Sequence, residues 1–137
     1  MKSTELQFRV RYAETDQMGV VYYGNYAQYF EMGRTEWLRK LGITYRWMEE
    51  TGIQLPVIDL HVAYKKPARY DDLLTVKTTL LKMPSVRIAF HYEITNEEGL
   101  LLTSGSTTLV FIDTKTNKPV MAPDYILEKL KHLTFSS

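Results

Sequence analysis

Apolar and polar residues alternate in several segments of the chain, and a period of two is the pattern of a half-buried β-strand. The first such segment is 5–13, whose predicted inner face carries Leu6, Phe8, Val10 and Tyr12. Three later strands are predicted over 73–82, 86–95 and 100–112. Because these three are separated only by short turns, they should pair as antiparallel hairpins.

A period of three to four residues replaces the alternation after Asn25 and predicts an amphipathic helix over 26–41. Asn25 is expected to be its N-cap, with Gln28 as the capping-box partner, and Gly42 is expected to end it. Gly33 inside the helix costs roughly 1 kcal/mol relative to alanine. That cost predicts that a sheet approaches the helix closely there. The predicted inner stripe is Tyr26, Phe30, Gly33, Trp37 and Leu41.

The remaining segments predict minor elements. Residues 43–52 are expected to form a short helical piece ending at Gly52, and 53–69 an extended region. Pro56 and Pro67 limit ladder pairing in that region and favour an edge strand or a bulge. A short amphipathic helix is expected from Pro123 through Leu133.

This order of elements predicts an α+β fold in which one long helix packs against one face of an antiparallel sheet. A chain of 137 residues has room for one core, so residues 1–137 are expected to form a single domain. Such a sheet leaves an edge strand unpaired. Pairing with a second copy would cover that edge, which predicts a homodimer.

Charge and composition exclude several classes of protein. Lysine and arginine (17) nearly cancel aspartate and glutamate (16), so the net charge of +1 argues against a nucleic-acid-binding protein. There is no apolar run of about 20 residues for a membrane span, and the N-terminus lacks the apolar core of a signal peptide. A cytoplasmic protein is therefore expected. The absence of cysteine removes disulfides, thiolate nucleophiles and cysteine-ligated metals.

The segment 12–26 carries the residue types of acyl-transfer chemistry. Four of the ten tyrosines lie within residues 22–29. Asp16 lies in the loop before the long helix, and the main-chain amides of Tyr23, Gly24 and Asn25 lie at the helix start, where unpaired N–H groups can hold an oxyanion. A carboxylate beside such donors can attack a carbonyl or activate water.

Structural roles compete with these catalytic ones. Asp16 can equally be the first residue of an Asx-turn, and Tyr26 and Tyr29 can serve core or dimer packing. Glu31 is a rival carboxylate on the helix, with a solvated surface residue as the alternative. The three histidines lie far apart, at positions 61, 91 and 132, and form no metal-ligand cluster. No metal and no cofactor are expected.

Two blocks of sequence resemble the 4-hydroxybenzoyl-CoA thioesterase family of the hotdog superfamily. The first is Y-x-x-T-D-x-x-G-V-V-Y-Y-G-N-Y over residues 12–26, followed in the helix by E-x-x-R-x-E-x-L-R over residues 31–39. The second is KKPARYDDLL at 65–74. Many YbgC-like members of the family have histidine at the position of Tyr23, so the resemblance leaves the acyl group open.

The resemblance implies a hotdog fold, in which a long central helix is wrapped by a curved antiparallel sheet and two subunits share a continuous sheet. It also implies that Asp16 is the catalytic carboxylate. The main-chain N–H of Tyr23 would polarise the thioester carbonyl. The implied activity is hydrolysis of an acyl-CoA thioester to free acid and CoA.

For substrate binding, we expect Gly24 to let the substrate approach the backbone and Asn25 to contribute at the helix start. The basic residues available for CoA phosphates are Lys65, Lys66, Arg69, Lys82 and Arg87. An acyl carrier protein thioester is an alternative substrate, and a homotetramer an alternative to the dimer. The alternative to an enzyme is an acyl-CoA-binding sensor or interaction module on the same fold; a dehydratase, which needs a catalytic histidine, ranks last.

Overall fold

A computed structural model describes residues 2–135. The helices of this part of the chain are α1 (Tyr26–Lys40), α2 (Tyr45–Glu50) and α3 (Asp124–Leu130). Its strands are β1 (Ser3–Arg9), β2 (Ile53–Gln54), β3 (Val57–Tyr64), β4 (Leu73–Leu80), β5 (Arg87–Thr95), β6 (Leu101–Val110), β7 (Ile112–Asp113) and β8 (Lys118–Pro119). No helix within residues 2–135 is long and apolar enough to cross a membrane.

The main sheet has five strands in the order β1-β4-β5-β6-β3, and all its pairs are antiparallel. The predicted hairpins β4–β5 and β5–β6 are confirmed. The expected irregular edge is also confirmed, because β3 pairs only with β6 in this sheet and its register shifts between Val57 and Asp59. A small second sheet has the order β2-β7-β8.

Helix α1 packs on the sheet through the predicted stripe, and the α+β prediction is confirmed. Tyr26, Phe30 and Trp37 are buried, and the ring of Phe30 stacks on Tyr92 of β5 with centroids 4.4 Å apart. A Cβ at Gly33 would collide with the Thr78 hydroxyl of β4. This is the close approach that a glycine in the middle of the helix predicted.

Two local predictions are wrong. The first strand ends at Arg9, and Tyr12 lies in a 3₁₀ turn with its side chain exposed instead of on the inner face. Asn25 precedes α1, but its side chain makes no capping hydrogen bond, because its backbone is already helical, with φ −80° and ψ −12°, where an N-cap is extended. The predicted end of the helix is confirmed at Gly42, whose φ of +85° is a conformation that glycine adopts readily.

Strand β3 forms one edge of the main sheet and exposes large apolar side chains. Val57, Ile58, Leu60 and Tyr64 are each more than two-fifths exposed. Such an edge offers both free backbone groups and apolar surface to another strand. It runs beside the N-terminal half of α1, which positions the site described next.

Candidate active site at the start of the long helix

Asp16 lies in a tight turn on the loop between β1 and α1. Its carboxylate oxygen Oδ1 accepts from the main-chain N–H of Met18 at 2.8 Å and of Val20 at 3.4 Å. The main-chain N–H of Asp16 donates to the Val20 carbonyl at 2.9 Å. The Asx-turn expected as the structural role is therefore present. It engages Oδ1 only; within residues 2–135, Oδ2 accepts no hydrogen bond and the residue is exposed.

The turn folds back, so that residues 15–16 lie beside residues 20–21, which lead into α1. Thr15 and Val21 form an antiparallel bridge, as do Val20 and Arg69. The N–H of Val21 donates to the Ala68 carbonyl at 2.8 Å. The aspartate is thus fixed beside a strand-like segment that reaches the helix start two residues later.

Helix α1 is preceded by a 3₁₀ turn over Tyr23–Asn25. The N–H of Asn25 donates to the Tyr22 carbonyl, and that of Tyr26 to the Tyr23 carbonyl. In residues 2–135 the amides of Tyr23 and Gly24 find no acceptor. They are the first N–H groups of a helical segment. Their partial positive charge favours an anion or a developing oxyanion at the helix start.

Glu14 is a buried carboxylate that the sequence reasoning missed. It is only 7% exposed. Its Oε1 accepts from the Arg11 N–H at 2.8 Å and from the Tyr29 hydroxyl at 3.0 Å, and its Oε2 accepts from Arg11 Nη2 at 3.1 Å. The only signal in the sequence is the spacing of Arg11 and Glu14, three residues apart and just before Asp16. Glu14 ties the loop to the core of α1.

The main-chain carbonyl of Glu14 binds the helix start as well. It accepts from the Tyr22 N–H at 2.9 Å and from Asn25 Nδ2 at 2.8 Å. This bond gives Asn25 a structural contact where sequence reasoning expected a substrate contact. The space beside Gly24 is occupied by the ring of Tyr22, with which a Cβ at this position would collide. Both residues shape the helix start.

Tyrosine rings surround a cavity of about 280 Å³ next to this helix start. The Tyr64 hydroxyl donates to the Tyr23 carbonyl at 3.0 Å, and the Tyr64 ring packs edge-on against Tyr26 with centroids 5.4 Å apart. The cavity is lined by Val21, Tyr23, Tyr26, Tyr64, Lys65, Lys66 and Pro67. Asp16 does not line it.

The predicted basic residues separate into two groups. Lys65 lines the cavity, and Arg69 is bridged to Val20 of the Asp16 turn. Arg87 lies elsewhere: it pairs with Val110 on β6, whereas Tyr64 pairs with Thr103. Seven residues of strand span about 23 Å, so one chain does not bring Arg87 to this cavity.

Burial keeps the tyrosines of the site protonated. Desolvation raises the pKa of Tyr26 above its usual value near 10. It also raises the pKa of Tyr29, as does the neighbouring charge of Glu14. Phenols with raised pKa values stay neutral at neutral pH and serve as hydrogen-bond donors. No group of three or more His, Asp or Glu in the described residues could hold a metal ion.

Known proteins match the chain over most of its length. The sequence model of the Thioesterase-like superfamily matches residues 10–130. The putative acyl-CoA thioesterase YneP of Bacillus subtilis is 36% identical over 120 residues, which cover 88% of this chain and 87% of that protein. The acyl-CoA thioester hydrolase YbgC of Escherichia coli is 32% identical over 123 residues, which cover 90% of this chain and 92% of that protein.

A solved structure is similar as well. The DHNA-CoA thioesterase of Staphylococcus aureus superimposes with a TM-score of 0.84 at 46% sequence identity, covering 88% of this chain and 81% of that one.

Proposed function

Because the chain belongs to the Thioesterase-like superfamily, we propose that it hydrolyses acyl-CoA thioesters with Asp16 as the catalytic carboxylate. Its long helix packed on an antiparallel sheet is the hotdog fold. Relatives named as acyl-CoA thioester hydrolases support the reaction class.

One observation carries the proposal: a carboxylate with an unengaged oxygen lies on the loop that leads into a helix start with two unengaged amides. Asp16 holds its own turn through Oδ1, which leaves Oδ2 available for chemistry. The amides of Tyr23 and Gly24 lie at the start of the helical segment into which the same loop leads. A carboxylate and preorganised N–H donors are the two groups that acyl transfer needs.

In the proposed reaction, the thioester carbonyl oxygen accepts from the amides of Tyr23 and Gly24. Asp16 then either attacks the carbonyl carbon or removes a proton from an attacking water. The tetrahedral intermediate collapses with cleavage of the C–S bond, and CoA leaves as thiolate. In the first route, water hydrolyses the resulting mixed anhydride and regenerates Asp16. Both routes yield the free acid and CoA.

An aromatic acyl group is the substrate class that the residues around the helix start favour. The cavity presents the rings of Tyr23, Tyr26 and Tyr64, and aromatic pairs gain about 0.5–1.5 kcal/mol beyond the area they bury. The similar structure from Staphylococcus aureus is named for a DHNA-CoA substrate. We therefore place 1,4-dihydroxy-2-naphthoyl-CoA first among the thioesters to test. Lys65 and Arg69 would meet the phosphates of CoA.

We also propose that two copies pair along β3. This edge strand exposes Val57, Ile58 and Leu60, and a second β3 would satisfy its free backbone groups. Sedimentation equilibrium should then give a mass of twice the 16.0 kDa of one chain, or four times for a pair of dimers. A monomer at micromolar concentration would contradict the pairing. The Asp16 turn does not line the tyrosine cavity of its own chain. In the proposed dimer, the Asp16 turn of one subunit would complete the cavity of the other.

The test of the proposed function is release of free thiol from a panel of thioesters. The panel contains aromatic, short-chain and long-chain acyl-CoAs and one acyl carrier protein thioester. Wild-type protein should hydrolyse at least one, and Asp16→Asn and Asp16→Ala should lower kcat by about 100-fold or more. Thermal stabilisation by acyl-CoA without thiol release would favour a binding protein instead.

A further inference from the structure

The hydroxyl of Tyr64 joins the edge strand β3 to the start of α1 and has no part in the reaction steps proposed so far. Tyr64 is the last residue of β3. Its hydroxyl donates to the main-chain carbonyl of Tyr23 at 3.0 Å, although the two residues are 41 positions apart in the chain. Its ring packs edge-on against Tyr23 and Tyr26, with centroids 6.3 and 5.4 Å away. A side chain of the sheet edge therefore reaches the first turn of the helical segment.

Main-chain hydrogen bonds hold the backbone at both ends of this contact. The residue after Tyr64 donates its N–H to the Leu102 carbonyl at 2.9 Å. The residue before Tyr23 donates its N–H to the Glu14 carbonyl at 2.9 Å. Because the sheet fixes one segment and the loop fixes the other, little further ordering is needed to bring the hydroxyl and the carbonyl together.

The carbonyl that Tyr64 binds belongs to the same peptide unit as one of the two proposed oxyanion donors. A peptide unit contains the carbonyl of one residue and the N–H of the next, and it stays nearly planar. The Tyr23 carbonyl and the Gly24 N–H are thus opposite ends of one rigid group. Since a bond that holds the carbonyl also holds the N–H, Tyr64 helps to set the direction in which the Gly24 N–H points.

The same bond strengthens the Gly24 N–H as a donor. The Tyr23 carbonyl also accepts from the Tyr26 N–H, so two donors draw electron density toward its oxygen. Amide resonance extends this effect to the nitrogen, and hydrogen bonds in a chain strengthen one another by about 10–30% each. The chain would run from the Tyr64 hydroxyl through the Tyr23–Gly24 peptide to the carbonyl oxygen of the thioester.

The other proposed oxyanion donor lacks this side-chain support. The N–H of Tyr23 shares its peptide unit with the Tyr22 carbonyl, which accepts from the Asn25 N–H at 2.9 Å. Side-chain donors at the helix start bind other carbonyls, since Asn25 Nδ2 donates to Glu14 and the Tyr64 hydroxyl to Tyr23. The Gly24 N–H is therefore the more polarised of the two donors.

The place of Tyr64 in the cavity wall would let the substrate strengthen this bond. Tyr64 is about half exposed and lines the tyrosine cavity together with Tyr23 and Tyr26. An acyl group in the cavity would displace water from the hydroxyl, and electrostatic interactions are stronger where water is excluded. The bond would then be strongest in the complex, where the oxyanion forms.

We propose that Tyr64 is a positioning residue for the oxyanion site. Its hydroxyl orients and polarises the Tyr23–Gly24 peptide, so that the Gly24 N–H meets the negative charge that develops on the thioester oxygen. This inference rests on the proposed thioesterase function. Because the effect grows as charge develops, loss of the hydroxyl should lower kcat and spare KM.

The kinetic test is Tyr64→Phe, which removes the hydroxyl and keeps the ring. With the panel thioester that the wild type hydrolyses fastest, kcat should fall by about threefold to tenfold while KM stays within about twofold. Loss of a whole oxyanion donor costs about 100-fold or more, and the fall should be smaller because the Gly24 N–H remains. The control is Tyr70→Phe, which should change neither constant. Tyr70 is 57% exposed against 52% for Tyr64, and its ring also packs edge-on against a tyrosine, Tyr12.

A second measurement observes the peptide without substrate. In protein labelled with ¹³C and ¹⁵N, the carbonyl ¹³C resonance of Tyr23 should move upfield in Tyr64→Phe, because a carbonyl carbon is deshielded while its oxygen accepts a hydrogen bond. Tyr70→Phe should leave this resonance in place. The same spectra show that each variant is folded.

A kcat in Tyr64→Phe equal to that of the wild type would overturn the inference and leave the hydrolase intact. A higher KM with an unchanged kcat would also overturn it and make the hydroxyl a substrate contact. An unmoved Tyr23 resonance would show that the hydroxyl does not bind this carbonyl in solution, and the inference would fall whatever the kinetics. Absence of thiol release from every thioester of the panel would instead refute the proposed function.

Discussion

Replacing Glu14 tests whether this buried carboxylate holds the Asp16 loop in place. Glu14→Gln keeps the shape of the side chain and one carbonyl oxygen, but removes the negative charge. The retained oxygen can still accept from Tyr29. In the wild type, Oε2 accepts from Arg11 Nη2 at 3.1 Å and from Arg11 Nε at 3.3 Å. In Glu14→Gln an NH2 group takes the place of Oε2, so a donor faces these two donors.

The expected cost follows from these contacts. A hydrogen bond to a charged group contributes roughly 1.5–3 kcal/mol, and Glu14 makes such bonds to the buried Tyr29 hydroxyl and to the N–H of Arg11. The pair with the exposed Arg11 guanidinium adds little, because solvent screens it. We expect Glu14→Gln to lower the free energy of unfolding by about 2 kcal/mol and Tyr29→Phe by about 1.5 kcal/mol.

The assay is urea denaturation of both single variants and the double variant, followed by kinetics. The two changes should be coupled by about 1 kcal/mol, because Glu14→Gln takes the charge from the hydrogen bond that Tyr29→Phe removes. Small domains have free energies of unfolding of about 5–15 kcal/mol. A loss of about 2 kcal/mol therefore leaves Glu14→Gln folded. Its kcat should nevertheless fall by about tenfold, because Asp16 follows two residues later. The control is Glu128→Gln, which breaks only an exposed pair with Lys131.

If the losses of unfolding free energy in the two single variants add up to the loss in the double variant, Glu14 and Tyr29 do not interact. A kcat in Glu14→Gln equal to that of wild type would refute the positioning role, even if stability falls. A lower kcat in Glu128→Gln would show that the assay responds to surface charge and not to the loop.

Two further predictions concern charge and pH. Lys65→Gln should raise KM for acyl-CoA by about threefold to tenfold with little change in kcat, because Lys65 lines the cavity and would meet phosphate. Lys118→Gln, on strand β8 of the small second sheet, should leave KM unchanged. The contribution of Tyr45 to the free energy of unfolding should be constant below about pH 10 and fall toward pH 12, since Tyr45 stays protonated to about pH 12 when folded and titrates near 10 when unfolded. The two-unit difference corresponds to about 2.7 kcal/mol, so urea denaturation should show a shallower fall for Tyr45→Phe and an unchanged one for Tyr12→Phe, whose ring is exposed.

Local patterns in the sequence predict most of the fold. The period of the α1 stripe, the turns between β4, β5 and β6, and the stop at Gly42 all depend on residues near each other in the chain, and each is confirmed. Gly33 even predicts a tertiary contact. Glycine lowers the stability of a helix interior, and at this position a larger residue would collide with Thr78 of β4. Tyr12 departs from its pattern because the strand ends three residues earlier, where the chain turns toward Glu14.

The candidate site is only partly readable from the sequence. Asp16 and the helix-start amides follow from residue types and order. The burial of Glu14 and the diversion of Asn25 to the Glu14 carbonyl depend on how the loop packs on Tyr29, which no local pattern encodes. The separation of Arg87 from Lys65 depends on the register of β5 and β3 against β6. Strand register between distant segments is set by the whole sheet.

The most direct test of Asp16 as the catalytic carboxylate compares Asp16→Asn with Asp113→Asn. Both aspartates hold an Asx-turn, since Asp113 Oδ1 accepts from the Lys115 N–H at 2.8 Å as Asp16 Oδ1 does from Met18. Asparagine preserves that acceptor in each turn and replaces the other carboxylate oxygen by an uncharged NH2 group. With the thioester that the wild type hydrolyses fastest, kcat should fall about 100-fold or more in Asp16→Asn and stay unchanged in Asp113→Asn. Equal activity of the two variants would contradict the account.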